Sequence, residues 1–191
     1  NTLNSADANY AAILPVTVTV TIADDDSPCV CITPINVTVG EGGATGSYQM
    51  RLTTQPTAAV TVTLVLTDGQ ITTDVGELVF TPLTWSAMQT VTVTAVNDVV
   101  AEGGMQRLIA HAVTSADPDY DVIDDRTVTV NIVDNDTAGV VVNPTTGLTT
   151  TEAGGSATFT VVLTSEPTAA VTVTLASNDT SEGTVSPTQM V

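Results

Sequence analysis

Residues 127–133 read TVTVNIV and residues 17–22 read TVTVTI. Successive side chains of an extended strand point to opposite faces, so a run with Val or Ile at every second position buries one face and shows Thr on the other. A helix gives residues at this spacing no common face. The alternation returns in VTVTLVL (60–66), TVTVTAV (90–96) and VTVTL (171–175). Val and Thr are also β-branched, which favours extended backbone. The chain therefore reads as all-β. Aromatic residues are only 3% of it against 42% hydrophobic residues in all, so its cores must be built mainly from aliphatic side chains.

The strands belong to a repeat. SADANY ends at Tyr10 and SADPDY at Tyr120, and the same offset of about 110 residues carries Asp24, Asp25 and Asp26 onto Asp134, Asn135 and Asp136. EGGATGSYQMRLTTQPTAAVTVTL from Glu41 matches EAGGSATFTVVLTSEPTAAVTVTL from Glu152. Self-similarity at a fixed period marks a repeat architecture. One complete unit is expected over 27–136, with 1–26 the last strands of a preceding unit and 137–191 the first half of a following one. The chain is expected to be an excerpt of a longer tandem array. The alternative, chains completing one another's domains, would leave half-domains with unpaired strand edges that invite aggregation.

Within the complete unit the period-2 pattern predicts seven strands: 29–39, broken at Pro34, then 46–53, 59–67, 77–81, 89–96, 105–115 and 126–133. Short strands at this spacing, parted by Gly, Pro, Asn and Asp, indicate tandem immunoglobulin-like seven-strand antiparallel sandwiches. Val60, Val62 and Leu64 should face the core and Thr61 and Thr63 the solvent; Phe80, Pro82 and Trp85 should supply the largest core side chains.

Charge narrows the function. Arg51, Arg107 and Arg126 are the only basic residues against 21 acidic ones, for a net charge of −18. Such a field repels phosphate backbones and anionic lipid, so nucleic acid is excluded as a partner class. Thr interrupts every Val run, leaving no apolar stretch of the roughly 18–20 residues a spanning helix needs, so no direct membrane insertion is expected.

Loops joining successive antiparallel strands alternate between the two ends of a sandwich. That parity sends Glu41, Asp68, Asp74, Asn97, Asp98, Glu102, Asp134, Asn135 and Asp136 to one pole, and the second-last loop, with Asp117, Asp119, Asp121, Asp124 and Asp125, to the other. Each alone is an ordinary turn residue. Together, with no Lys and little Arg to offset them, they repel one another unless a cation joins them. Carboxylate and carbonyl oxygens without a His or Cys cluster suit Ca2+.

Cys29 and Cys31 lie two apart on one strand face and are expected to be small buried hydrophobes; a strained bridge or a crosslink to a neighbouring chain is the alternative. His111, the sole His, falls inside a predicted strand, and no nucleophile elbow, phosphate loop or triad is visible, so the chain is not expected to be an enzyme.

VGEGGATGSYQMRLTTQPTAAVTVTL, FTPLTWSAMQTVTVTAVNDVVAEGG and VTVNIVDND, in that order, resemble the Calx-beta repeat family. The resemblance implies a seven-strand sandwich and calcium ligands at Glu41, Asp68 or Asp74, Asp98 with Glu102, and Asp134 with Asp136. Asn97 and Asn135 stand where that pattern has acids. The preceding unit keeps Asp24, Asp25 and Asp26, and the following one offers Glu152 with Asp179 or Glu182. The expected function is that of a structural calcium-binding repeat in an extracellular or cell-surface fibre, stalk or adhesin. Its partners would be neighbouring repeats and identical chains. The alternative is a calcium-sensing module of a larger protein.

Overall fold

Alternation becomes pairing in the computed structural model, which describes residues 6–11, 17–23 and 25–191. Nine strands lie between residues 30 and 133: β1 (Val30–Thr33), β2 (Asn36–Gly40), β3 (Gly46–Leu52), β4 (Val60–Leu66), β5 (Ile71–Thr73), β6 (Glu77–Phe80), β7 (Gln89–Ala95), β8 (Met105–Ser115) and β9 (Arg126–Val133). They form a four-stranded sheet in the order β1-β3-β7-β5 and a five-stranded sheet in the order β2-β9-β8-β4-β6. Their inner faces supply the core. Val60, Val62 and Leu64 of β4 are buried while Thr63 is exposed, as the alternation predicts.

Three features depart from the seven-strand antiparallel expectation. Pro34 has no N–H to give a ladder, so the first predicted strand splits there: β1 pairs with β3 in one sheet and β2 with β9 in the other. The pairing of β2 with β9 is parallel, from Asn36 opposite Thr129 to Gly40 opposite Val133. The short strand β5, antiparallel to β7, occupies residues expected to be loop. All nine strands face one core, and its largest fully buried side chains are Tyr48, Tyr120, Phe80 and Met50. Trp85 packs against that core only partly buried. Cys29 and Cys31 are free and half-buried, a correction to the expectation of full burial: they lie on the outward side of an edge strand, and the Arg126 guanidinium donates to Cys29 Sγ at 3.2 Å.

The pole away from the acid cluster is closed by a helical turn, α2 (Pro118–Asp121). Asp117 caps it, accepting from Asp119 N at 3.0 Å and from Thr57 N at 2.6 Å. These amide bonds hold its carboxyl below the ordinary carboxylate range. Tyr120, buried, donates its hydroxyl to Thr54 O at 2.8 Å. The turn α1 (Ala8–Ala11) is built the same way, with Asp7 Oδ1 accepting from Asn9 N at 2.8 Å.

The remaining strands are β10 (Val140–Asn143) antiparallel to β11 (Thr160–Leu163), and β12 (Val173–Thr174) antiparallel to β13 (Gln189–Met190). Glu166 meets the sandwich: its N donates to Val99 O at 2.7 Å beside a parallel bridge to Val100. Thr164 closes on the intervening chain, its Oγ1 donating to Thr137 O at 2.6 Å and its N to Gly139 O at 3.0 Å. Among the described residues no helix is long and apolar enough to cross a membrane.

Candidate metal site

The parallel pairing of β2 and β9 builds the site. Their register ends with Gly40 opposite Val133, so the next residues, Glu41 and Asp134, leave the sheet side by side. Glu41 N donates to Val133 O at 3.1 Å, continuing the ladder one step. The chain then reverses in a tight turn closed by Gly43 N to Gly40 O at 3.0 Å, and Gly43 adopts φ 101°, a conformation that a side chain would disfavour.

Asp134 is the organiser of this pole. Its Oδ1 accepts from Asp136 N at 2.7 Å and its Oδ2 from Gly103 N at 2.6 Å. Gly103 has φ 73°, again a glycine conformation. Those amide bonds, Asp136 first and Gly103 second, hold the Asp134 carboxyl below its usual value. They also draw the loop between β7 and β8 against the end of β9. In that loop Asp98 accepts from Val100 N at 2.8 Å and so caps its own turn. Asn97 and Asn135 join the two segments, Asn135 Nδ2 donating to Asn97 Oδ1 at 3.0 Å.

Glu41, Asp98 and Asp136 each present a carboxylate oxygen within 4.8 Å of the others'. Glu41 is only 3% exposed. Neither of its carboxylate oxygens has a hydrogen-bond partner, nor has the buried Oδ2 of Asp136. Burial raises the Glu41 pKa, and repulsion from Asp134, Asp98, Glu102 and Asp136 raises it further. A buried carboxylate ordinarily finds a donor, because an unpaired one keeps the whole cost of desolvation. Here no donor reaches it, and the charged groups around it are the carboxylates of Asp134, Asp98, Glu102 and Asp136. An all-oxygen donor set from three chain segments, with no thiol or imidazole, fits a hard divalent cation such as Ca2+.

Each of the other sequence candidates lies outside this trio of carboxylate oxygens. Glu102, exposed, accepts from Gln70 Nε2 at 3.4 Å and is near enough to act on the charge of Glu41. Asp68 is ion-paired with Arg107. Asp74 accepts from Thr92 N at 2.8 Å, on the flank of β7. Asp24 lies outside the described residues, and Asp25, Asp26, Glu152 and Glu182 are exposed. Asp179 serves its own turn, accepting from Ser181 Oγ at 2.6 Å and Ser181 N at 3.0 Å; these bonds lower its pKa.

His111 is fully buried in the core. It faces Tyr48 edge-on, with Nε2 2.7 Å from the Tyr48 hydroxyl and Nδ1 3.0 Å from Arg126 O. A carbonyl only accepts, so Nδ1 carries the proton and Nε2 accepts from Tyr48. Burial lowers the His111 pKa and pushes that of Tyr48 up.

No protein-family model matches the chain, and no curated protein matches it. Solved structures similar to it include the periplasmic chaperone SfaE, at 6% identity and TM-score 0.45, where 56% of this chain spans 57% of the chaperone. The PapD-like domain 7 of human CEP192 is 9% identical with TM-score 0.42, covering 65% of this chain and 99% of the domain. The apo form of the Calx CBD1 domain is 18% identical with TM-score 0.38, covering 58% of this chain and all 100% of that domain.

Proposed function

We propose that the chain is a structural, calcium-binding segment of tandem Calx-beta-type repeats from an extracellular or cell-surface fibre, stalk or adhesin. Residues 27–136 form the complete repeat, 1–26 end the preceding one and 137–191 begin the next. The observation that carries the reading is Glu41: a carboxylate 3% exposed, with neither oxygen hydrogen-bonded, facing two further carboxylates. Ca2+ takes roughly 6–8 oxygen ligands, and Glu41, Asp98 and Asp136 would supply the protein's charged share of them. Asp134, its oxygens already engaged by two amides, positions the others.

The site stands where one repeat passes into the next. Asp136 immediately precedes the segment that Thr164 ties down, and Asp98 immediately precedes Val99, whose carbonyl receives Glu166 N. A cation held by Asp98 and Asp136 would brace both attachments at once and stiffen the junction. Asn97 and Asn135, neutral where acids are expected, reduce the charge of the site and with it its affinity, which argues against a steep sensor. The capped turns at Asp7 and Asp117, alike in hydrogen bonding, support the repeat. Neighbouring repeats, and identical chains in a fibre, are the partners this implies.

The test is thermal unfolding of the full chain in millimolar Ca2+ and in excess chelator. The reading requires a higher midpoint with Ca2+; equal midpoints overturn it.

A further inference from the structure

Among the described residues, four buried side-chain acceptor atoms lack any partner: Glu41 Oε1 and Oε2, Asp136 Oδ2 and Gln70 Oε1. The first three belong to the cluster already described. Gln70 comes from the loop between β4 and β5, which also carries Asp68, while the other acid the sequence offered from this region, Asp74, follows β5. Both of those carboxylates are engaged elsewhere, Asp68 by Arg107 and Asp74 by the amide of Thr92.

Gln70 is fixed at the acidic pole by its backbone and by its side chain. Its N donates to Asp68 Oδ1 at 3.1 Å, which makes Asp68 the cap of the loop. Its carbonyl accepts from Val96 N at 2.9 Å, immediately before the Asn97–Asp98 pair. Its amide Nε2 donates to Glu102 Oε1 at 3.4 Å, which leaves the amide oxygen of the same group buried and unpaired. The four orphaned atoms are thus all oxygens, from three residues on two loops and the segment after β9. An amide carbonyl is a hard neutral ligand of the kind calcium sites use beside carboxylates.

We propose that Gln70 supplies the oxygen through which the β4–β5 loop joins the cation site of Glu41, Asp98 and Asp136, while Asp68 holds the loop in shape. This rests on the proposal that the three carboxylates bind a divalent cation. It goes further in assigning the β4–β5 loop a neutral ligand, so that the affinity of the site is set partly by an uncharged group.

The experiment is calorimetric titration of the full chain with Ca2+, comparing the wild type with Gln70→Met, Gln70→Glu, Asp68→Asn and Glu41→Gln. Removing the amide oxygen in Gln70→Met should weaken binding about 10-fold or more, and adding charge at the same place in Gln70→Glu should tighten it, since ligand charge count tunes such sites. Asp68→Asn should weaken binding less than Gln70→Met does, because it loosens the cap of the loop but removes no ligand oxygen. Midpoints in chelator show that each variant is folded, and Gln70→Glu retains a polar side chain of nearly the same size if Gln70→Met is not. Unchanged affinity in both Gln70 variants, with Glu41→Gln abolishing binding, overturns the role of Gln70 and leaves the site standing. A wild type that binds no Ca2+ removes the site itself. An Asp68→Asn loss as large as that of Gln70→Met overturns the assignment in favour of Asp68.

Discussion

Replacing Glu41 by Gln should change the stability of this protein in opposite directions with and without a divalent cation. Glu41, Asp98 and Asp136 have oxygens within 4.8 Å of one another. Two unit charges at that separation repel by about 3 kcal/mol at an effective dielectric near 20. Asp98 and Asp136 are half-exposed, so solvent screens much of this. A gain of about 1–2 kcal/mol on neutralising Glu41 in chelator is the reasonable expectation, or roughly 2–8 °C in midpoint for a chain of this size. With Ca2+ at 100 times its dissociation constant the wild type gains about 2.7 kcal/mol, whereas a variant unable to bind gains nothing. The order of stability therefore inverts between the two conditions. Calorimetric scans of both proteins in chelator and in Ca2+ measure it. A Glu41→Gln variant less stable than the wild type in chelator, or one that responds to Ca2+ as the wild type does, would refute the reasoning.

Three further outcomes follow from the titration of Glu41 and from two residues away from the site. In chelator, folding raises the Glu41 pKa above 4.5, so the folded state takes up a proton before the unfolded one does; acidification down to that value should stabilise the wild type relative to Glu41→Gln, measured by urea unfolding across pH. His111 acts with the opposite sign: it is held neutral in the fold, near Asp125 and against Tyr48 and the Arg126 carbonyl, while the unfolded side chain takes a proton near 6.5. Stability should fall as pH drops below that value, by up to about 1.4 kcal/mol per pH unit, and His111→Gln should flatten this slope. Tyr120→Phe removes the hydroxyl bonded to Thr54 at the opposite pole; it should cost about 1 kcal/mol in denaturant unfolding and leave the response to Ca2+ unchanged.

Strand alternation made most of the fold legible in the sequence, because burying one face of a Val/Thr strand leaves little freedom of register. The expected strand 105–115 is β8 to the residue, and 126–133 is β9. What pattern did not carry was pairing partner. Nothing in NVTVG announces that β2 pairs parallel to β9, yet that register sets Glu41 beside Asp134. Strand parity still brought Glu41, Asp98 and Asp136 to one pole, because it depends only on the direction in which each strand runs. It could not separate Asp68 and Asp74 from them, since the sequence set both in one loop that β5 divides, and Arg107 and Thr92 engage them. Gln70 escaped notice because it is uncharged, and only the burial of its oxygen marks it. Phe80 met the core expectation, while the two largest fully buried side chains, Tyr48 and Tyr120, required knowledge of which hydroxyl found a partner.

The central claim is that a divalent cation completes the group formed by Glu41, Asp98 and Asp136. Crystals grown with Ca2+, measured at a long wavelength where calcium scatters anomalously, address it directly. The account predicts an anomalous peak about 2.3–2.6 Å from oxygens of all three carboxylates. A map without a peak between them, or with calcium bound only elsewhere on this acidic surface, would contradict it.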